Sequence, residues 1–464
     1  MTPAPHAPEP TPGGDLQRGL RMAAPPDPEA LAREAHRLEE LDRGPRLRRW
    51  LGWLQMSGPG YLQSALTLGA GTATASLFSG AVFGYRLLWV APVGMAIGVV
   101  MLAAIAHQTL STGLRPLPAM RRFAGAPFAI AWAAGALLAS VVWHVPQYTL
   151  AASAMTDLLA LAGAGDLPPM AVSPAVLLGA VWLSWSYGRS PQRARQVERF
   201  FKWLIWATVL SMLWVVLNTD TDWGAALGGF VPNVPADRGE HAAVTMIVSG
   251  LAAAVGVNMV FLYPYSLLAR GWGRAHRGLA RCDLWCGMLL PYTLATALMG
   301  IAAANTLHRA DGVVDRGAAT AEMSEVLGAV LGATTGQVVF DLGLLAMAFS
   351  TISLHMLVCG FVATEWFGCA VGSRAHRLWT LLPTPAVLAP LVFHGVPFWL
   401  SIPTNIVCGL FLPLTYLGFV VLMRSRAYLG ADRPTGPRLL AWTAAMTLAI
   451  LVLVVALTAY LVNL

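Results

Sequence analysis

Apolar residues run along this chain in blocks of about twenty, separated by short polar or Arg-rich connections, from residue 50 to the C terminus. A helix needs about 20 such residues to cross roughly 30 Å of hydrocarbon. The pattern predicts spans over 57–80, 85–110, 127–162, 170–187, 200–218, 243–268, 283–306, 338–370, 378–394, 397–423 and 438–462, eleven helices in all. The expected fold class is therefore all-α, a polytopic membrane protein. Two units are expected: a cytoplasmic tail over 1–50, and a transmembrane domain over 51–464. Residues 1–27 are rich in Pro, Ala and Gly, hold no apolar run of signal-peptide type, and are expected to be disordered. From Pro28 to Trp50 regularly spaced Leu and Ala alternate with acids and Arg, as in an amphipathic helix lying on a membrane face or in a solvated helical linker.

Composition supports this reading. Charged residues make up 11% of 464 and hydrophobic residues 56%, against about 25% charged in a soluble domain. The net charge of +7 could suggest nucleic acid, but no base-reading module accompanies it. The distribution of the basic residues points instead to topology. With the N terminus inside, the inner connections hold 21 of the 30 basic residues and the outer ones only Arg86, Arg238, Arg309 and Arg316. That bias places the N terminus in the cytoplasm and the C terminus outside, and the expected location is a bacterial inner (plasma) membrane. Trp50, Trp53, Trp89, Trp223 and Trp399 fall near span ends, as interfacial belts do.

Two of the spans are written to break. The first, SALTLGAGTATASLFSG, carries Gly69, Gly71 and Thr72 near its middle, and the sixth, LAAAVGVNMVFLYPYSLLARGW, carries Gly256, Asn258 and Pro264. Each mid-helix Gly costs about 1 kcal/mol relative to Ala, and Pro lacks a backbone donor. Unwound backbone at membrane depth persists only where protein or a water-filled cavity receives its polar groups. First and sixth are corresponding members of two five-helix inverted repeats, the arrangement that marks a transporter's midplane site. Gly80, Gly84, Gly94 and Gly98 fit helix packing instead.

The stretch GPGYLQSALTLGAGTATASLFSGAVFGYRLLWV, residues 58–90, resembles the first helix and following turn of the Nramp (natural resistance-associated macrophage protein) family of divalent-metal transporters. Weaker similarity covers Tyr263 to Ser266, residues 344–367 and residues 403–414. The resemblance implies a LeuT-type 5+5 inverted repeat plus one extra helix, alternating access, and cargo held between helices one and six. This chain departs from the family at the cargo residues. Aligned without gaps, the family's Asp falls on Gly69 and its Asn on Thr72; its Met falls on Asn258, its two His on Val260 and Tyr265, and its Gln on Asn405. The family's sulfur ligand and its carboxylate are both replaced.

Thr72, Asn258, Asn405 and the free carbonyls around Leu68, Gly69 and Val255 are hydroxyl, amide and carbonyl oxygens, which suit hard cations. Neither broken helix carries an acid, and stripping a divalent ion of all its water there would be uncompensated. A hydrated hard cation such as Mg²⁺, which keeps several waters, is thus expected over Mn²⁺ or Fe²⁺. The candidate site is Gly69, Gly71, Thr72, Val255, Asn258 and Asn405, with Thr72, Asn258 and Asn405 as metal donors. A small neutral or zwitterionic solute such as an amino acid is the other reading, because half-helix N–H groups receive a carboxylate; a relative that binds without transport is a third. Among ionisable groups inside spans (His107, His144, Asp157, Asp341, His355 and Glu365), His144, His355 and Glu365 are the proton-path candidates for symport. Asp341 and His107 read as interfacial, and Glu365 as a possible partner of Arg374 or Arg377. The segment from Ala319 to Gly336 reads as an outer amphipathic helix. No P-loop, nucleophile triad or metalloprotease motif is present, and the five Cys lack zinc-site spacing. No cofactor, nucleic acid or obligate protein partner is expected beyond the lipid bilayer and a small ion or solute.

Overall fold

The structure, a computed structural model, describes residues 16, 18–23, 25–187, 191–309, 314, 315, 317, 320–393 and 398–462. Arg189 and Arg316 of the charge argument, and most of the tail expected to be disordered, lie outside them. Described residues fold as helices with no strand, apart from three isolated bridges. Among the described residues nine helices are long and apolar enough to cross a membrane, and one bent pair makes a tenth.

The chain begins with α1 (Pro28–Arg43) and α2 (Arg46–Met56). The first span is α3 (Pro59–Thr67) followed by α4 (Ala70–Phe83), bent by 55° at the break. Next come α5 (Val90–Thr112), the short α6 (Pro116–Phe123), α7 (Ala126–Leu161), α8 (Pro169–Tyr187), α9 (Pro191–Leu217) and the short α10 (Trp223–Gly228). The sixth span is α11 (Ala243–Ala254) and α12 (Val257–Ala269), and the seventh is α13 (Arg277–Leu284) joined through a π-turn at Trp285–Leu289 to α14 (Leu290–Thr306). Beyond it lie α15 (Thr320–Leu331), α16 (Ala333–Phe367), α17 (Arg374–Trp379), α18 (Pro390–Phe393), α19 (Ser401–Gly409), α20 (Leu412–Arg424), α21 (Arg426–Leu429) and α22 (Gly436–Val462).

Among the described residues, the ninth predicted span, 378–394, is the one with no helix or helix pair long and apolar enough to cross a membrane. Its place is taken by α17, a 3₁₀ turn at Thr384–Leu388 and α18. Pro383, Pro385 and Pro390 each withhold a backbone donor, so a regular hydrogen-bond ladder cannot run through the segment. Pro264 has the opposite outcome: it sits inside α12 without ending it, and the break of the sixth span lies at Val255–Gly256.

The long helices α7 and α16 pack along each other through the centre, flanked by both broken spans. Small residues bring helices together. A Cβ at Gly80 on α4 would fall on the carbonyl of Gly300 on α14. Met323, Val326 and Leu327 bury α15 against the bundle. By contrast α22 keeps Leu440, Leu448 and Leu451 exposed, as a lipid-facing helix does. At the basic end, residues 18–23 run over two connections. Gly19 N–H donates to Gly113 O at 2.9 Å, Ala23 N–H to Val371 O at 2.9 Å, and Val371 N–H to Arg21 O at 2.8 Å. Helix α1 docks beside them, with Leu38 buried and Glu34 accepting from Trp272 Nε1 at 2.9 Å.

Candidate functional site

The two breaks face each other across one cavity. Helix α3 ends when Leu68 takes φ −77°, ψ 44° and Gly69 an extended φ −77°, ψ 171°. The same happens at Val255 (φ −144°, ψ 105°) and Gly256 (φ −82°, ψ 161°) between α11 and α12. A helix end leaves its last carbonyls and first N–H groups without intrahelical partners. Here that places the negative dipole ends of α3 and α11, and the positive ends of α4 and α12, around one point. Gly69 is needed because α16 passes close by: a Cβ there would overlap Thr351 Oγ1 and lie 3.0 Å from Thr351 Cβ.

The cavity holds about 10 Å³, lined by Thr67, Gly69, Thr72, Gly256, Asn258, Met259, Thr351 and His355 together with Leu66, Trp143, Ala252 and Ala253. That is the size of about one water. No Asp or Glu lines it, and no cluster of three His, Cys, Asp or Glu able to hold a metal occurs among the described residues. Gly69, Thr72 and Asn258 of the expected set reach it. Gly71 packs instead against the Trp143 ring and Gln147, and the Val255 side chain fills the space beside Gly98 on α5. Asn405 lies elsewhere: its Nδ2 donates to Ser249 Oγ on α11 at 3.0 Å, and its Oδ1 is buried with no hydrogen-bond partner.

Sequence reasoning missed Met259, one position beyond the residue aligned with the family's Met. Its Sδ accepts from Thr67 Oγ1 and from Gly256 N–H, each at 3.3 Å, and so bridges the two broken spans. A sulfur is therefore present at the cavity, contrary to the expectation that it had been lost. Asn258 Oδ1 accepts from Met259 N–H at 2.9 Å, which holds its amide at the N terminus of α12.

Beside the cavity His144 on α7 and His355 on α16 lie ring to ring, centroids 5.6 Å apart, with Trp143 6.2 Å from His355. Both are buried. His144 Nδ1 is 2.5 Å from Ser140 O, while His355 Nδ1 and the amide of Gln147 have no hydrogen-bond partner. Glu365 is remote from this pair. It sits at the basic end, 1% exposed, 3.2 Å from Arg115 rather than from Arg374 or Arg377. Asp341, near one end of α16, is fully buried, with both carboxyl oxygens unpartnered.

Asp283 also escaped the sequence reading. It is wholly buried on α13 and accepts from Gly58 N–H at 3.1 Å and Gly60 N–H at 2.5 Å, tying down the N terminus of α3. Arg270 and Glu198 close over the same glycine as an ion pair at 3.2 Å, 15% and 6% exposed. Two ion pairs and a carboxyl clamp thus cross-link the helices at the basic end. On the other side a hollow of about 40 Å³ leads from Thr72 past Ser76, Ser79 and Gly80 toward Gly84.

Comparisons with known proteins agree with this geometry. The family model described as natural resistance-associated macrophage protein-like matches residues 60–463. A divalent metal cation transporter MntH of Mycobacterium bovis is 26% identical over 460 residues, covering 95% of this chain; the chain spans 63% of that relative's length. MntH of Mycobacterium tuberculosis is 25% identical over 425 residues, 89% of this chain and 92% of the relative. Among solved structures, a manganese transporter of Eremococcus coleocola superposes with TM-score 0.72 at 15% identity, covering 97% of this chain and 91% of its own. Mhp1, a nucleobase-cation-symport-1 family transporter, gives TM-score 0.56 at 16% identity over 86% of this chain and 91% of its own. Two opposed helix breaks on a LeuT-type bundle, and a family match over nearly the whole membrane domain, place the chain in the Nramp family.

Proposed function

We propose that the chain is a secondary transporter that moves a divalent metal cation in partly hydrated form by alternating access through the cavity between the two broken spans. The observation that carries this reading is the donor set: hydroxyls of Thr72 and Thr351, the Asn258 amide, and the end carbonyls of α3 and α11, around a space for about one water. The carbonyl ends of two helix dipoles favour a cation. Without a carboxylate the ion keeps part of its water, which suits Mg²⁺. Met259 adds a soft donor, but its sulfur already accepts from Thr67 and Gly256, so the oxygens dominate and a hard ion is favoured over Mn²⁺. The relatives named above as divalent metal cation and manganese transporters support metal as cargo.

In this reading the basic end faces the cytoplasm, residues 1–50 form a cytoplasmic tail, and residues 51–464 form the transport domain in a bacterial inner membrane. With 374–393 crossing as a broken span, the C terminus is outside. His144 and His355 carry protons beside the cavity, Glu365 holds the inner gate through Arg115, and Asn405 acts from behind α11 through Ser249. Uptake by proteoliposomes tests the assignment. Mg²⁺ should enter faster than Mn²⁺, and Thr72→Ala or Asn258→Ala should abolish entry in protein that still folds. Flux of an amino acid with no metal response overturns the reading.

A further inference from the structure

A second cavity, of about 740 Å³, opens at the basic end between α5, the start of α13, the connection 431–435 and α22. Four guanidinium groups, Arg277, Arg281, Arg433 and Arg438, line it against a single carboxylate, Asp432. That carboxylate is already shared. Its Oδ1 lies 2.7 Å from Arg274 and 3.1 Å from Arg277, and Arg277 also donates to Ser111 Oγ at 2.9 Å. Among the described residues no acid or side-chain acceptor reaches Arg281, Arg433 or Arg438, and Arg433 Nε is buried without a hydrogen-bond partner. The groove therefore presents three uncompensated positive charges, one of them already partly withdrawn from water. A buried, unpaired guanidinium needs an anion, and its planar fork matches phosphate oxygens.

The surroundings identify the source of that anion. The groove is walled by α22, the lipid-facing helix, with Leu440 71% exposed two residues from Arg438. Trp442 lines it and stacks on His107, centroids 6.5 Å apart with 21° between planes. A tryptophan with arginines at a span end is the composition of the headgroup layer, and basic grooves between helices at that level receive anionic headgroups. We propose that this groove binds the phosphate of an anionic phospholipid, with Arg281, Arg433 and Arg438 on the phosphate and Leu440 and Trp442 against the upper part of its acyl chains.

Native mass spectrometry of the full chain in detergent, titrated with short-chain phosphatidylglycerol or phosphatidylcholine, tests this. Three unpaired arginines at about 1 kcal/mol each correspond to a preference of about 100-fold for the anionic lipid. The preference should disappear in Arg433→Gln/Arg438→Gln and persist in Arg433→Lys/Arg438→Lys. Equal binding of the two lipids, or a preference that survives the double Gln substitution, overturns the proposal. Displacement of phosphatidylglycerol by inorganic phosphate at equal concentration overturns the lipid assignment and makes the groove a soluble-anion site. Should the double Gln variant fail to fold, Arg438→Glu alone, at an exposed position, must still weaken phosphatidylglycerol binding relative to phosphatidylcholine.

Discussion

Removal of the Asp283 side chain is the sharpest perturbation of the packing at the basic end. The carboxyl group accepts from Gly58 N–H and Gly60 N–H inside a site with no exposed surface. Asp283→Ala leaves both donors buried and unsatisfied, at roughly 1–3 kcal/mol each. Displacement of α3 lets water reach those N–H groups, so the loss falls mainly on the state in which the basic end is closed. A bias of roughly 2–6 kcal/mol corresponds to about 30-fold or more in the equilibrium between closed and open forms. The assay is the rate of modification of a cysteine placed at Ser57, in a background with the five native cysteines replaced. The rate should rise at least tenfold in Asp283→Ala and by less in Asp283→Asn, which keeps one acceptor. An unchanged rate in Asp283→Ala, with the protein folded, would show that the clamp contributes nothing to closure.

Three further outcomes follow from the geometry. Arg115→Ala leaves the buried Glu365 without its counter-cation, with only the Tyr265 hydroxyl beside it, and should lower stability by about 3 kcal/mol, read as a reduced midpoint of thermal unfolding; Arg115→Lys should recover part of it. Gly69→Ala drives a Cβ into Thr351 and should cut uptake at least tenfold, with Thr351→Ser as partner substitution restoring some of it. His144→Gln with His355→Gln should flatten the pH dependence of uptake while leaving metal binding by the detergent-solubilised protein intact.

The parts of the molecule legible in the sequence are those fixed by local pattern. Apolar runs located the spans, and the glycines of the first and sixth located both breaks to within a residue or two. Thr72 and Asn258 follow from their place beside those breaks. What escaped depends on partners far apart in the chain. Asp283 meets Gly58 across 225 residues, and nothing near either residue announces the pairing. Met259 was passed over because a gapless alignment reads ligands by column, whereas a helix that starts at 257 turns the next side chain toward Thr67. Asn405 was expected at the cavity because it follows the family's column, yet Ser249 on α11 captures its amide. Pro264 was read as a breaker, although inside a bundle its missing donor is tolerated; at 383, 385 and 390 three prolines together are not.

The seventh span holds both halves of the first. Near one end its Asp283 grips the start of α3; farther along, Gly300 seats Gly80 of α4 with no room for a methyl group. Between these two grips lies the π-turn at Trp285–Leu289, the irregular element in an otherwise continuous rod, and such turns are where a helix yields. A change in tilt of α13 relative to α14 would therefore lever α3 against α4 across the break at Leu68–Gly69. The broken span and the helix able to pry its halves apart are mechanically one assembly, although no residue of the seventh span lines the cavity between the breaks.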